Sequence, residues 1–184
     1  GLDNVDFRIL DAERMDLQTD AVDAVLCRWG YMLMADPEAA VSETRRVLRP
    51  GGRLSCAVFG GPQQNPWAAV PAGVLHQRGH MPAPRSGAPG ILALGDRARL
   101  EALFAQAGFT GLEVEEVAFT WIFEDADDYW GFLIDAAGAL AMVIARLDDE
   151  ERAAVRAQIA DAVAPFRDAG AIAMPAVSLV ATAS

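Results

Sequence analysis

Four short stretches of this 184-residue chain carry side chains whose types and spacing could do chemistry together. In "DAERMD" (11–16), the Asp11 carboxylate could accept a hydrogen bond from an exocyclic amine such as that of adenine, or it could cap a turn. In "CRWGYMLMADP" (27–37), Trp29 and Tyr31 set two large aromatic faces around Gly30, either lining a ligand or packing beneath the helix that follows. In "GGPQQNPW" (60–67), Asn65 and Trp67 are available to a ligand or to an ordinary polar loop. The run "EDADDY" (124–129) reads as a helix start rather than a metal site. His76 and His80 are four apart and would share a helix face, but no Glu follows His76 as in a metalloprotease motif, and no metal is expected. No nucleophile elbow of the G-x-S-x-G type occurs.

The elements that must position these residues alternate between strand and helix. "VDFRIL" (5–10) and "AVDAVLC" (21–27) read as strands, the second apolar enough to be covered on both faces. Asp36 with Pro37 opens a helix whose last turns hold Arg45, Arg46 and Arg49. Pro50-Gly51-Gly52 ends that helix and turns directly into a third strand, "RLSCAVF" (53–59), giving a β-α-β unit with parallel strands. Further on, a helix is predicted over 67–76. Another starts at Asp96 and stops at Gly108. A long strand over 111–123 slips its alternation at Glu115–Glu116, which predicts a bulge. A helical stretch runs from Asp125 to about Arg146. A capping box of Asp148 and Glu151 begins another helix reaching about Phe166. The strand 171–183 closes the order, with Pro175 marking an edge, an end or a bulge. Such an alternation is an α/β sheet with helices on both faces, and its ligands bind at the carboxyl ends of the strands.

Composition narrows the partners. The apolar fraction of 53% and charged fraction of 22% are those of an ordinary globular domain. A net charge of -11 repels phosphate backbones and anionic lipid surfaces, so neither nucleic acid nor membrane is an expected partner. No apolar run reaches the roughly 20 residues that span a bilayer. Cys27 and Cys56 sit in apolar runs and read as reduced core residues, which with no signal peptide in view predicts a cytoplasmic location.

Three blocks together resemble the class I S-adenosylmethionine-dependent methyltransferases, close to the ubiquinone/menaquinone-biosynthesis type. They are Asp11-Ala12, "VDAVLCRWGYM" and "RRVLRPGG-L", and "NPW" (65–67) and "LEALFAQAGF" (100–109) also fit. The resemblance implies a bacterial, cytoplasmic enzyme with a Rossmann-like sheet, mostly parallel with an antiparallel C-terminal strand. Residues 1–184 would be a single, partial domain with a helical cover at about 62–95 and 124–168. It implies S-adenosylmethionine as cofactor, held by Asp11 and Ala12 at the adenine edge and by Cys27, Arg28 and Trp29 at the methionine end. A small-molecule methyl acceptor would meet Tyr31, Asn65, Trp67 and Trp130. No catalytic base is assigned, His76 and His80 being only guesses.

The family's first two strands, with the glycine-rich loop and the acidic ribose-binding residue, have no counterpart in these residues, which hold no GxG. In the family sheet those strands lie between the equivalents of 5–10 and 21–27. The ten or so residues joining these two, extended over about 33 Å, reach across two strands. The chain, which begins with Gly, is expected to be a portion of a longer protein. The alternatives are a truncated, catalytically inactive module, or two chains pairing through an exposed sheet edge into a homodimer.

Overall fold

The computed structural model describes residues 3–83, 85 and 87–184, so Pro84 and Ser86, within the predicted cover, lie outside the described residues. The elements run β1 (Val22–Arg28), α1 (Pro37–Val47), β2 (Leu48–Phe59), α2 (Pro66–Gln77), α3 (Arg97–Gln106), β3 (Glu113–Phe123), α4 (Ala126–Ala136), α5 (Ala139–Ile144), α6 (Asp149–Ala162), β4 (Arg167–Asp168) and β5 (Ala171–Ala183). The sheet order is β1-β2-β5-β3, with the short β4 also on β5. β1 and β2 are parallel, while β5 opposes β2, β3 and β4, so every strand but the last points one way. This is the mostly parallel sheet with an antiparallel final strand that the resemblance implies.

Local signals are obeyed. Asp36, Asp96 and Asp148 each accept a hydrogen bond from the amide three residues on, satisfying donors that the first helical turn leaves open. Gly108 takes positive φ, +81°, just past α3, whereas α1, expected to hold Arg49 and to end at Pro50-Gly51-Gly52, already stops at Val47, so that Gly51 (φ +78°) lies inside β2. α1 runs into β2 with no loop between them. The stretch of β2 from Leu48 to Arg53 faces only Val22 to Ala24, so Pro50-Gly51-Gly52 bulges out of the ladder.

Several expectations fail, each for a non-local reason. Residues 5–10 form no strand. They are exposed, Phe7 at 92% and Ile9 at 104%: a strand exists only through its neighbours, and among the described residues this stretch pairs with none. β1 is not covered on both faces: Leu26 is 84% exposed, and among the described residues no strand lies on the side away from β2. No bulge occurs at Glu115–Glu116. The register of β3 on β5 is unbroken from Glu113↔Thr182 to Phe123↔Ile172, and both glutamates are simply exposed. The helix after Asp125 breaks at Gly138 (φ +49°) into α4 and α5. The capping box is half made: Asp148 caps Glu151, but the Glu151 carboxylate turns to Arg78 and His80.

One continuous core joins both helical layers to the sheet. On one side α1 and α3 bury Val41, Thr44, Val47, Leu100 and Phe104; from the α2, α4 and α6 layer come Trp67, Leu75, Tyr129, Leu133, Val155 and Ile159. Gly95 meets Gly60 backbone to backbone: a Cβ on Gly95 would sit 2.6 Å from the Gly60 carbonyl carbon.

Candidate active site at the carboxyl ends of β1 and β2

The chain leaving β1 turns sharply at Trp29, whose φ of +55° is a conformation a bulky residue rarely adopts. Such strain persists only where surroundings over-determine it, and it clusters at functional sites. Here the Trp29 amide donates to the Ala57 carbonyl (2.7 Å), its indole Nε1–H donates to Ser178 Oγ (3.1 Å), and its ring stacks on Phe59 at 4.7 Å and 16°. The Arg28 guanidinium lies over the same ring, 4.9 Å from its centroid. With one face against Phe59, that ring offers its other face to a cation.

Behind the turn, Cys27 is half-buried and its thiol pKa is raised by burial, which the Tyr31 and Gly30 amides partly offset. A side chain at Gly30 would place Cβ 2.7 Å from Cys27 Sγ. Tyr31 is buried, its hydroxyl 2.7 Å from Thr44 Oγ1, and burial drives its pKa well above the usual phenol range. Cys56, in register with Cys27, is pushed up to about 12 by burial, so neither thiol is poised as a nucleophile.

The segment 11–16 is brought to the same rim. The Glu13 carboxylate accepts the amide of Asp36, the N-cap of α1, at 2.9 Å. Met15 is gripped at both backbone groups: its N–H donates to Glu43 Oε1 (2.9 Å) and its carbonyl accepts from Arg46 Nη2 (3.1 Å). Glu43 and Arg46 are themselves paired at 2.7 Å, which holds the Glu43 carboxyl below its ordinary range. Asp11 is exposed. Its Oδ1 accepts the Glu13 amide (2.9 Å), which is the turn cap, and a carboxylate has a second oxygen for another donor. Ala12 is half-buried against the core. The cofactor candidates Asp11, Ala12, Cys27, Arg28 and Trp29 thus sit on two segments that meet at one edge of the sheet.

The acceptor candidates behave differently. Tyr31, Asn65, Trp67 and Trp130 are all buried. Asn65 serves as a backbone surrogate: its Nδ2 donates to the carbonyls of Val177 (3.0 Å) and Gly61 (3.3 Å), and its Oδ1 accepts from Val177 N–H and Trp67 Nε1–H (both 3.2 Å). Trp67 packs its ring against Phe59, Trp121 and Phe132. Trp130 faces α6, lining a cavity of about 200 Å³ with Arg152 and Arg156. The histidines lie at the far end of α2, which at 12 residues is about 18 Å long. His76 Nδ1 contacts the Met81 carbonyl, and His80 Nε2 is 2.6 Å from Glu151.

Beyond the rim rises a wall the sequence reading missed. β2 stops pairing at Phe59↔Ser178, but β3 and β5 continue together to Phe123↔Ile172. The overhang carries Phe119, Trp121 and Phe123 on one face, in ring contact with one another and with Phe132 of α4. The signal was there: aromatics at every second position of a strand mark one face. Rings form an unbroken series from Trp29 through Phe59 and Trp67 to Trp121.

Comparison with known proteins agrees. Residues 1–56 match the family described as "Methyltransferase domain". The ubiquinone/menaquinone biosynthesis C-methyltransferase of Caulobacter vibrioides is 37% identical over 68 residues, covering 37% of this chain and 27% of that protein. The demethylmenaquinone methyltransferase of Mycolicibacterium paratuberculosis is 40% identical over 60 residues, covering 33% of this chain and 26% of that one. These matches thus span about a quarter of the length of either relative. A candidate methyltransferase of Bacillus halodurans, 19% identical, shares the fold with a TM-score of 0.55 over 94% of this chain and 74% of its own. Over residues 1–56, then, the chain carries the sequence of the methyltransferase-domain family, and its likeness to class I S-adenosylmethionine-dependent methyltransferases of the ubiquinone/menaquinone type is borne out.

Proposed function

We propose that this chain is the acceptor-facing part of a methyltransferase that moves a methyl group from S-adenosylmethionine to a small molecule. The observation that carries the reading is the Glu13–Asp36 hydrogen bond, because it joins the Asp11 turn to the segment that follows Trp29. Bound there, the cofactor supplies an electrophilic sulfonium methyl. The chain's own residues orient it. The second oxygen of Asp11 accepts from the adenine amine, while the backbone from Cys27 to Trp29 and the open face of the Trp29 ring receive the methionine end. Arg28 marks where a cation rests on that ring and swings away, being exposed. Transfer then depends on alignment and on exclusion of water rather than on a general base. The aromatic overhang with Trp67 and Phe132 forms the dry wall on the acceptor side.

Calorimetric titration with S-adenosylhomocysteine tests this. Binding that Asp11→Ala weakens about ten- to a hundredfold supports it, the span expected for losing a hydrogen bond to a charged group. A folded sample that shows no binding at millimolar ligand removes it. A second reading rests on Leu26: a strand edge with an 84% exposed leucine favours self-association. A concentration-independent monomer in sedimentation would exclude that.

A further inference from the structure

Among the described residues, one buried side-chain polar atom has no hydrogen-bond partner: the indole Nε1 of Trp121. A buried donor left unpaired destabilises a fold, and natural chains keep few of them without a use. Its location is specific. Trp121 stands on the inner face of the overhang, 5.8 Å from Trp67, 5.7 Å from Phe119 and 5.2 Å from Phe132, measured between ring centroids. The rings packed on this indole are those of Trp67, Phe119, Phe123 and Phe132. The two other indole donors nearby are both answered, Trp29 by Ser178 and Trp67 by Asn65.

We propose that Trp121 reads the methyl acceptor, its indole N–H donating to an oxygen on a flat, apolar compound. Indole is a donor only, so it selects a hydroxyl, carbonyl or phenolate oxygen and has nothing to offer another donor. The surrounding rings select the flat body by stacking. Phe132, half-buried on α4, is the ring that must give way to admit it. This rests on the methyltransferase reading above and adds to it a specificity residue and the chemical character of what it binds.

The test follows the Trp121 indole proton by NMR, assigned by its loss in Trp121→Phe, with 2-naphthol and naphthalene as probes. Naphthol is expected to move that signal downfield, as a new hydrogen bond does, and naphthalene is expected not to. Trp121→Phe should weaken naphthol about five- to tenfold and leave naphthalene nearly unchanged, the ratio of the two cancelling any general loss of packing. An indole signal unmoved at saturating naphthol means that the neighbouring ring faces satisfy the donor, and overturns the proposal. This wild-type measurement stands even if the variant fails to fold. Equal weakening of both probes in a folded variant overturns it as well. S-adenosylhomocysteine titrated into the same sample separates the two ideas: if it binds and naphthol does not, only the role of Trp121 falls. If naphthol behaves as stated and the homocysteine does not bind, only the methyl-transfer reading falls.

Discussion

The rim at the ends of β1 and β2 and the helical cover of α4 to α6 are held by different forces. At the rim, short backbone and buried side-chain bonds fix each residue. Tyr31 meets Thr44, Asn65 makes four hydrogen bonds, Met15 is gripped twice, and Gly60 and Gly95 are in backbone contact. The cover packs through rings and aliphatic side chains, with one buried bond from the Tyr129 hydroxyl to the Trp67 carbonyl, and is tied laterally by surface ions. Glu151 of α6 takes Arg78 (2.6 Å) and His80 (2.6 Å), and Arg156 pairs with the exposed Asp127 (2.8 Å). The neutral bonds among the first kind are insensitive to salt and acid, whereas partly exposed ion pairs are weak and screened. The proposed cofactor edge thus rests mainly on buried bonds and the proposed acceptor side on packing and surface ion pairs, and lids of the second kind are the ones that move to admit substrates.

That contrast can be broken first at the rim. Tyr31→Ala removes a buried ring and leaves the Thr44 hydroxyl only its bond to the Ala40 carbonyl, and should cost about 3–5 kcal/mol, seen as loss of a cooperative melt for the whole domain. Asn65→Ala leaves the Val177 amide and the Trp67 indole N–H without their acceptor and should cost about 2–3 kcal/mol. That loss should appear in the denaturant midpoint with the slope unchanged. Gly95→Ala forces apart two backbones in contact and should cost about 1–3 kcal/mol. If any of these three loosened only the cover, as read by amide exchange, the division drawn here would be wrong.

The smallest effect is expected in the cover and depends on pH. Arg78, then His80, hold the Glu151 carboxyl down at about 2, below its ordinary value near 4.3. A depressed carboxyl stabilises the fold above its unfolded value and ceases to as pH falls through the folded one. The difference in α6 amide protection between wild type and Glu151→Gln should therefore be constant at neutral pH and vanish between about pH 4 and pH 2. A difference that grew on acidification would contradict the assignment.

What was legible in the sequence follows the range of the interaction. Helix starts at Asp36, Asp96 and Asp148 and the exit at Gly108 are decided within four residues and were readable, whereas α1 stops at Val47, before the Pro50-Gly51-Gly52 turn, because Leu48 already pairs with Val22 of β1. The stretch 5–10 has a strand's residues, but pairing is decided elsewhere in the chain, so it stays exposed and forms no strand. Glu151 sits at the right spacing to close a capping box, yet a guanidinium from residue 78 outcompetes an amide three residues away. At the rim, residue type indicated which segments meet, while the choice between lining a ligand and filling the core depended on depth. Tyr31, Asn65 and Trp67 went inward, and Trp121, whose buried N–H lacks a partner, went unnoticed.

The central claim is that 11–16 and 27–34 form one cofactor edge. Amide and indole NMR during titration with S-adenosylhomocysteine tests it most directly, since it registers even weak binding residue by residue. The account predicts saturable shifts concentrated at Asp11 to Glu13, Arg28 to Tyr31 and the Trp29 indole, with the α5 and α6 signals still. Shifts centred on the cover, or none up to millimolar ligand, would contradict it.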